Sequence, residues 1–321
     1  MKVINEKHFG IQRKIVANMT YESWQTIPHI SYIYEPEVSH FVDVVKELND
    51  SGKFPVKITI NTIMLKALAE AFKAAPALNA HIDFDPKYVR GTIKEYDEIH
   101  AGMTWILPNG EMMTINLHNF ENKNLDEMTD YINDVQRRFE KTDLTEAMFE
   151  VSLDNTLTAL KKGKIKQAIY RLVGAKTGKH KVKTLRGKAK KEYESIPKTD
   201  RITKYDIEQG TVTISNIGSL YRGQRGNVGI LEIIPPQVCA FGVGAVQDRP
   251  VVVTDENGNK SIEIRQVLPI CMAFDHRALD FGEAVPFIKR LDEIFANPEQ
   301  IHTWKGEEKN NKYQEFTITA V

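Results

Sequence analysis

The chain has 321 residues, of which 41% are hydrophobic and 27% charged, ordinary globular proportions that exclude intrinsic disorder, collagen-like repeats and a disulfide-dense scaffold. Its longest apolar run, around 238–246, falls short of the ~18 residues a membrane span needs, and the N-terminus lacks a signal-peptide core, so a cytoplasmic protein is expected. The 43 basic and 43 acidic residues cancel overall but not locally: Lys161 to Lys191 holds thirteen Lys or Arg and no Asp or Glu, leaving 30 basic residues against 43 acidic ones elsewhere.

In chain order, residues 28–35 (PHISYIYE) read as a strand and 39–49 as a helix with Phe41, Val44, Val45 and Leu48 on one face and Ser39 as its cap. Residues 61–75 predict a helix that Asn61 caps and Pro76 stops; its apolar positions cover more than one face, which places it in the core. EIHAGMTWIL and EMMTINL flank Pro108-Asn109-Gly110, a hairpin signal because Asn-Gly accommodates the positive φ of a tight turn. Leu125, Met128, Ile132 and Val135 give an amphipathic helix over 125–139.

The pattern then breaks into an interruption at about 140–205. Within it Ile165, Ala168, Ile169, Leu172 and Val173 share a helical face, after which 176–191 loses periodicity and is expected as a poorly ordered basic arm. Strands resume at 211–216, 237–246 and 250–253, and after the turn DENGNK one strand-like run extends from Ile262 to Phe274. A last helix over 282–296 turns Ala284, Phe287, Ile288, Leu291 and Phe295 inward. Residues 1–304 thus read as a single domain carrying a basic insertion, followed by a polar, flexible tail over 305–321.

Internal repeats, a Gly-rich phosphate loop and Cys/His spacing suited to a metal are all missing from the sequence, so no metal is expected. Cys239 and Cys271 lie in apolar, strand-like segments and read as small core hydrophobes. The basic segment is either a solvated insertion packed through its apolar stripe, or a surface for an acidic carrier protein, phosphate groups or, less favoured, an anionic membrane. Nucleic acid is not expected, because no aromatic residues or binding motif accompany the charge.

Residues able to do chemistry gather near the C-terminus. His276 closes an apolar strand one short turn before a helix, with Asp280 four residues on; in TVTISN, strand alternation puts Thr211, Thr213 and Ser215 on one face, where hydroxyls line a polar channel or simply suit an exposed strand.

Taken together, RKIVANM (13–19), IPHISYIYE (27–35), PALNAHID (76–83), TVTISNIGS (211–219), IIPPQVCAFGVGAVQDRPVV (233–252) and AFDHRALD (273–280) resemble the catalytic domain of the dihydrolipoamide acyltransferases of 2-oxo acid dehydrogenase complexes, relatives of chloramphenicol acetyltransferase. The resemblance runs from about 7 to 303, omitting roughly 140–205. It implies an α/β fold, an α+β two-layer sandwich of the chloramphenicol acetyltransferase-like type, assembled as a homotrimer or a multiple of trimers with active-site channels between subunits. His276 is implied as the general base for the acceptor thiol, and Ser215 of the adjacent subunit as hydrogen-bond donor to the oxyanion formed from a coenzyme A thioester. Imidazole suits this step because its ordinary pKa, ~6.5, leaves it mostly neutral at pH 7. The resemblance also implies a pair between Asp280 and Arg13 that orients the histidine's turn. Asn216 beside Ser215 either shapes the channel or serves as a strand-end turn residue leading into Gly218.

Three features depart from the family pattern. Where the family has His-x-x-x-Asp-Gly, Asp280 is followed here by Phe281, whose benzyl group would narrow the channel or redirect coenzyme A. The sequence begins almost at the catalytic domain, so no covalent lipoyl group is expected and a lipoyl donor would arrive on another protein. The interruption exceeds the family's short connection, and an acidic lipoyl or acyl carrier domain bound through Lys161–Lys191 is the partner it suggests. The expected activity is acyl transfer between coenzyme A and a thiol such as dihydrolipoamide. A small-molecule O- or N-acetyltransferase and a non-catalytic trimeric scaffold of the same fold stay open as alternatives.

Overall fold

The computed structural model describes residues 1–55, 57–106, 112–161, 163 and 165–304. The chain runs through α1 (Ile11–Thr26), β1 (His29–Tyr34), α2 (Ser39–Asp50), α3 (Ile60–Ala74), β2 (Ala80–Asp85), β3 (Arg90–Glu95), β4 (Ala101–Ile106), β5 (Met112–Leu117) and α4 (Leu125–Glu140). It continues through α5 (Leu144–Lys161), α6 (Ile165–Lys176), α7 (Gly187–Ser195), α8 (Lys204–Ile207), β6 (Val212–Asn216), β7 (Cys239–Val243), β8 (Gln247–Thr254), β9 (Lys260–Val267), β10 (Ile270–Asp275) and α9 (Phe281–Ala296). The expected turn at Pro108-Asn109-Gly110 and the tail 305–321 lie outside the described residues.

Six strands form one mixed sheet in the order β1-β10-β7-β6-β4-β5, with β7, β6 and β4 mutually parallel and the outer pairs antiparallel. Alternation gives the sheet two unlike faces. Val212, Ile214, Phe241, Met272 and Phe274 point into the main core beneath α3 and α9, where the rings of Phe72, Phe241 and Phe287 meet 4.9–5.2 Å apart. Each fully buried phenylalanine contributes roughly 1.5–3 kcal/mol. Ala240 and Ala273 point the other way, into a small cluster with Ile27 and Ile233. Large side chains thus hold helices on one face, and small ones leave the other thinly covered. Cys239 and Cys271 are both buried, and burial raises both thiols, which leaves them protonated core groups.

Two expected helix caps are replaced. The Ser39 hydroxyl accepts the Gln266 N–H at 2.9 Å, so it ties α2 to β9 and is not the cap; Thr59, not Asn61, caps α3 by accepting the Thr62 N–H at 3.1 Å. The strand-like run from Ile262 to Phe274 is two strands. Pro269 has no N–H to donate, and there Leu268 bonds to the Pro36 carbonyl while the Pro269 carbonyl accepts from Gly244. β9 therefore pairs with β8 in a separate hairpin and β10 enters the main sheet.

The basic arm is not loose chain. After α6, Val182 is buried and its N–H reaches the Ala175 carbonyl, while residues 187–195 form α7 with Tyr193 buried. Glu146 on α5, almost fully buried, accepts from the Leu185 N–H and from Lys190 Nζ at 3.2 Å. A buried carboxylate needs such partners, and satisfying it pins the arm. Lys14 on α1 adds a second tie by donating to the Gly174 carbonyl at 2.6 Å and to the His180 carbonyl. Of the expected apolar stripe, Ala168 is buried, whereas Ile165, Ile169 and Val173, four residues apart along α6, are each more than half exposed.

Candidate active site

His276 stands in a tight turn between β10 and α9. Its N–H bonds the Pro28 carbonyl at 3.1 Å, and the Asp275 carbonyl accepts from the N–H groups of Ala278 and Leu279. The turn is anchored by a pair flanking the histidine: Asp275, fully buried, takes Arg277 Nε at 3.0 Å and Nη2 at 2.6 Å, as well as the Arg277 backbone N–H at 3.0 Å. The imidazole itself is half exposed. Its Nδ1 lies 3.2 Å from the Leu279 carbonyl oxygen and 3.4 Å from Asp280 Oδ1. Both are acceptors, so the ring proton sits on Nδ1 and Nε2 presents a lone pair to solvent, as a general base requires.

Asp280 closes this arrangement at the start of α9, where its own N–H donates to the Glu283 carboxylate at 2.9 Å. The expected Arg13–Asp280 pair does not form within the chain. Arg13 is exposed on α1 and is in no ion pair among the described residues, because the adjacent Lys14 ties this part of α1 to the insertion and not to α9. Phe281 is also exposed, its ring 5.1 Å from Tyr32 in an edge-on contact.

Ser215 lies on the thinly covered face, where β4 and β6 align their hydroxyls. Its Oγ is 3.3 Å from Thr104 Oγ1, and Thr213 donates to Gln237 Oε1 at 2.7 Å. Thr211 is engaged elsewhere, accepting the His100 N–H at 3.0 Å. Asn216 acts as the strand-end residue, donating to Asn61 and accepting the Ser219 N–H at 2.9 Å. Gly218 follows because a Cβ there would stand 2.3 Å from the Gly244 carbonyl oxygen.

His276 and Ser215 are not brought together in one chain. Ser215 pairs with Gly242 and Gly242 with Cys271, so Ser215 is level with the second residue of β10, while His276 lies past that strand's far end. Five residues at ~3.3 Å and two strand spacings at ~4.8 Å separate them by roughly 19 Å. Thr104, Asp275 and Arg277 were not picked out from the sequence. Alternation along β4 would have placed Thr104 beside Ser215, but nothing local marks the carboxylate and guanidinium beside His276 as a buried pair.

No described helix is long and apolar enough to cross a membrane, and among the described residues no group of three or more His, Cys, Asp or Glu is arranged to hold a metal.

Comparison with known proteins bears on the whole chain. It is 24% identical over 288 residues to the dihydrolipoyllysine-residue acetyltransferase component of the pyruvate dehydrogenase complex of Rickettsia bellii, covering 89% of this chain and 51% of that one. It is 25% identical over 290 residues to the lipoamide acyltransferase component of the branched-chain alpha-keto acid dehydrogenase complex of Pseudomonas aeruginosa, covering 90% and 51%. The chain thus spans about half the length of these relatives. Among solved structures, a probable dihydrolipoamide acetyltransferase from Listeria monocytogenes matches with a TM-score of 0.59 at 21% identity, covering 96% of this chain and 97% of that one. The Azotobacter vinelandii dihydrolipoamide acetyltransferase matches at 0.58 and 18%, covering 94% of each. The α/β architecture is therefore that of the acyltransferase catalytic cores. The family model described as 2-oxoacid dehydrogenases acyltransferase (catalytic domain) matches residues 2–153 and 180–303, and the chain belongs to that family.

Proposed function

We propose that this protein transfers an acyl group between coenzyme A and a thiol of the dihydrolipoamide type, at sites formed between copies of the chain. The observation that carries this reading is the state of His276: Nδ1 is committed to the Leu279 carbonyl, leaving Nε2 free and exposed. Nε2 takes the proton of the acceptor thiol, the thiolate attacks the thioester carbonyl carbon, and the resulting oxyanion accepts a hydrogen bond from Ser215 of a neighbouring copy. Collapse expels the coenzyme A thiolate, which recovers the proton from the imidazolium. The roughly 19 Å between His276 and Ser215 in one chain is what makes a second copy necessary. Tyr32, Trp24 and Tyr221, all exposed aromatic side chains, supply surface for a homotrimer.

In this reading residues 1–304 act as one catalytic domain in the cytoplasm, and the lipoyl group is delivered by a separate carrier. The cations of Lys161–Lys191 and the exposed Ile165, Ile169 and Val173 of α6 suit an acidic lipoyl or acyl carrier domain. Binding that persists unchanged on deleting 161–191, or that is absent at low salt, would remove this partner.

The test is a thiol-release and mass-spectrometric assay with acetyl-, propionyl-, branched-chain and succinyl-coenzyme A and dihydrolipoamide as acceptor, with His276→Ala alongside. Acyl-dihydrolipoamide made by the wild type and lost in the variant supports the reading and identifies the acyl class. No turnover across a range of thiol, hydroxyl and amine acceptors, with the assembly intact, would instead favour a scaffold.

A further inference from the structure

The thinly covered sheet face carries a set of hydroxyls whose protons can be followed one by one, since each threonine or serine has a single O–H to donate. Thr213 on β6 gives its proton to Gln237 Oε1 at 2.7 Å, and Gln237 in turn donates to the Gly210 carbonyl at 2.8 Å. Thr211 accepts the His100 N–H at 3.0 Å and turns its own hydroxyl to the His100 carbonyl at 3.4 Å. Neither has a proton left for a ligand.

Thr104 and Ser215 differ. Their oxygens lie 3.3 Å apart, and neither hydroxyl has another hydrogen-bond partner among the described residues. One proton therefore joins the two oxygens and the second is free. If Ser215 donates to Thr104, the free proton belongs to Thr104. If Thr104 donates, Ser215 keeps its proton for a ligand and gains a hydrogen bond at its oxygen.

The backbone fixes this pair. β4 lies between β5 and β6, with Thr104 opposite Thr114 on one side; on the other, Gly102 and Met103 are level with Thr213 and Ile214, so the next step along both parallel strands sets Thr104 beside Ser215. Both residues are partly buried. Threonine is the stiffer of the two, because its branched β-carbon restricts χ1, whereas an unbranched serine turns more freely.

We propose that Thr104 is a positioning residue for acyl transfer: its hydroxyl donates to Ser215 Oγ and so directs the Ser215 proton outward, to the oxyanion. The role rests on the acyltransferase reading of Ser215. As Ser215 donates to the developing negative charge, its own oxygen becomes a better acceptor for Thr104, and the two bonds strengthen one another. The bond from Thr104 gains strength in the transition state and not on substrate binding, so it acts on kcat and leaves KM alone.

Steady-state acyl transfer to dihydrolipoamide by the full chain tests the role. Thr104→Val removes the hydroxyl and keeps the branched shape; kcat is expected to fall roughly 3- to 10-fold, the size of one neutral hydrogen bond, with KM unchanged. Thr104→Ser keeps the hydroxyl and should stay within about twofold of the wild type. Thr104→Ala repeats the measurement where a lowered urea midpoint shows that valine disturbs the sheet. In a Ser215→Ala background, Thr104→Val should cost nothing further, since Thr104 acts through Ser215. Wild-type kcat in Thr104→Val, a serine variant as slow as the valine one, or losses that multiply in the double variant would each overturn the proposal while leaving the acyltransferase reading standing. A wild type that transfers no acyl group to any thiol, hydroxyl or amine acceptor removes that reading, and the role of Thr104 with it.

Discussion

Asp275 and Arg277 flank His276 and are joined by a two-pronged ion pair whose carboxylate is sealed from solvent, with Arg277 Nη2 2.6 Å from Asp275 Oδ2. The pair holds the turn from both sides of the histidine, so the direction of the imidazole is set by a charge interaction at the base of the sheet.

Replacing Arg277 with methionine strands that carboxylate. The expected loss is on the order of 3 kcal/mol, read as a lowered midpoint in urea, because removing one partner leaves a buried charge uncompensated. Asp275→Asn/Arg277→Met, which removes the charge as well, should recover part of the loss. Stability unchanged in Arg277→Met would show that the pair does not anchor the turn.

Acyl transfer should fall about 10²–10³-fold in Ser215→Ala, as for loss of one oxyanion donor. It should be abolished in practice in His276→Ala. Since the two groups stand about 19 Å apart within a chain, unfolding and co-refolding a mixture of the two inactive variants should restore part of the activity, at interfaces that join an intact His276 to an intact Ser215. Mixtures no more active than their components would place the site within one subunit.

Stability should decline on mild acidification. His118 Nε2 donates to the Tyr205 carbonyl at 2.9 Å, its Nδ1 lies 3.1 Å from His100 Nδ1, and its ring stacks on Tyr205. Burial, with His100 adding to it, holds His118 below the ordinary histidine value, although the Tyr205 carbonyl, Asp206 and Glu208 pull the other way. His81 is lowered for the same first reason, burial. A base whose folded pKa is depressed takes up its proton more readily when unfolded, so stability is full above about pH 6.5 and is lost as pH falls below it. Thermal melts between pH 7.5 and 5.5 should show a Tm lower by a few degrees at the acid end. His118→Gln, which keeps a donor for Tyr205, should flatten that slope; an unchanged slope in His118→Gln and in the corresponding His81 variant would exclude both groups as its origin.

Limited trypsin digestion reports on the basic arm. Despite its many cleavage points, residues 181–191 should resist trypsin in the wild type, because Leu185 and Lys190 are bonded to the buried Glu146. Glu146→Ala should expose the segment and raise its cleavage rate about tenfold or more, since opening costs less once those bonds are gone. Equal cleavage in both proteins would return the arm to the loose state its sequence suggests.

Local pattern accounts for much of the fold. The 3.6-residue spacing in 39–49 and 125–139 marked α2 and α4, and alternation in 211–216 marked β6 and its hydroxyl face, because one-sided burial leaves a periodic trace. It missed α1, whose hydropathy is nearly even around its axis, and β3, which is exposed at every position. It misjudged 176–191, where the ordering comes from Glu146, some forty residues earlier, and from Lys14 at the other end of the chain.

For the site, the order of motifs around Ser215 and His276 was enough to mark the family, and it is the proposal above that gives these two residues their roles. Tertiary structure decided the rest. Strand register separates Ser215 from His276, the Leu279 carbonyl selects the imidazole tautomer, and burial pairs Asp275 with Arg277. The register depends on which distant segments meet, and the pair and the tautomer on how one short turn is folded and sealed from water, which no local pattern of residues writes out.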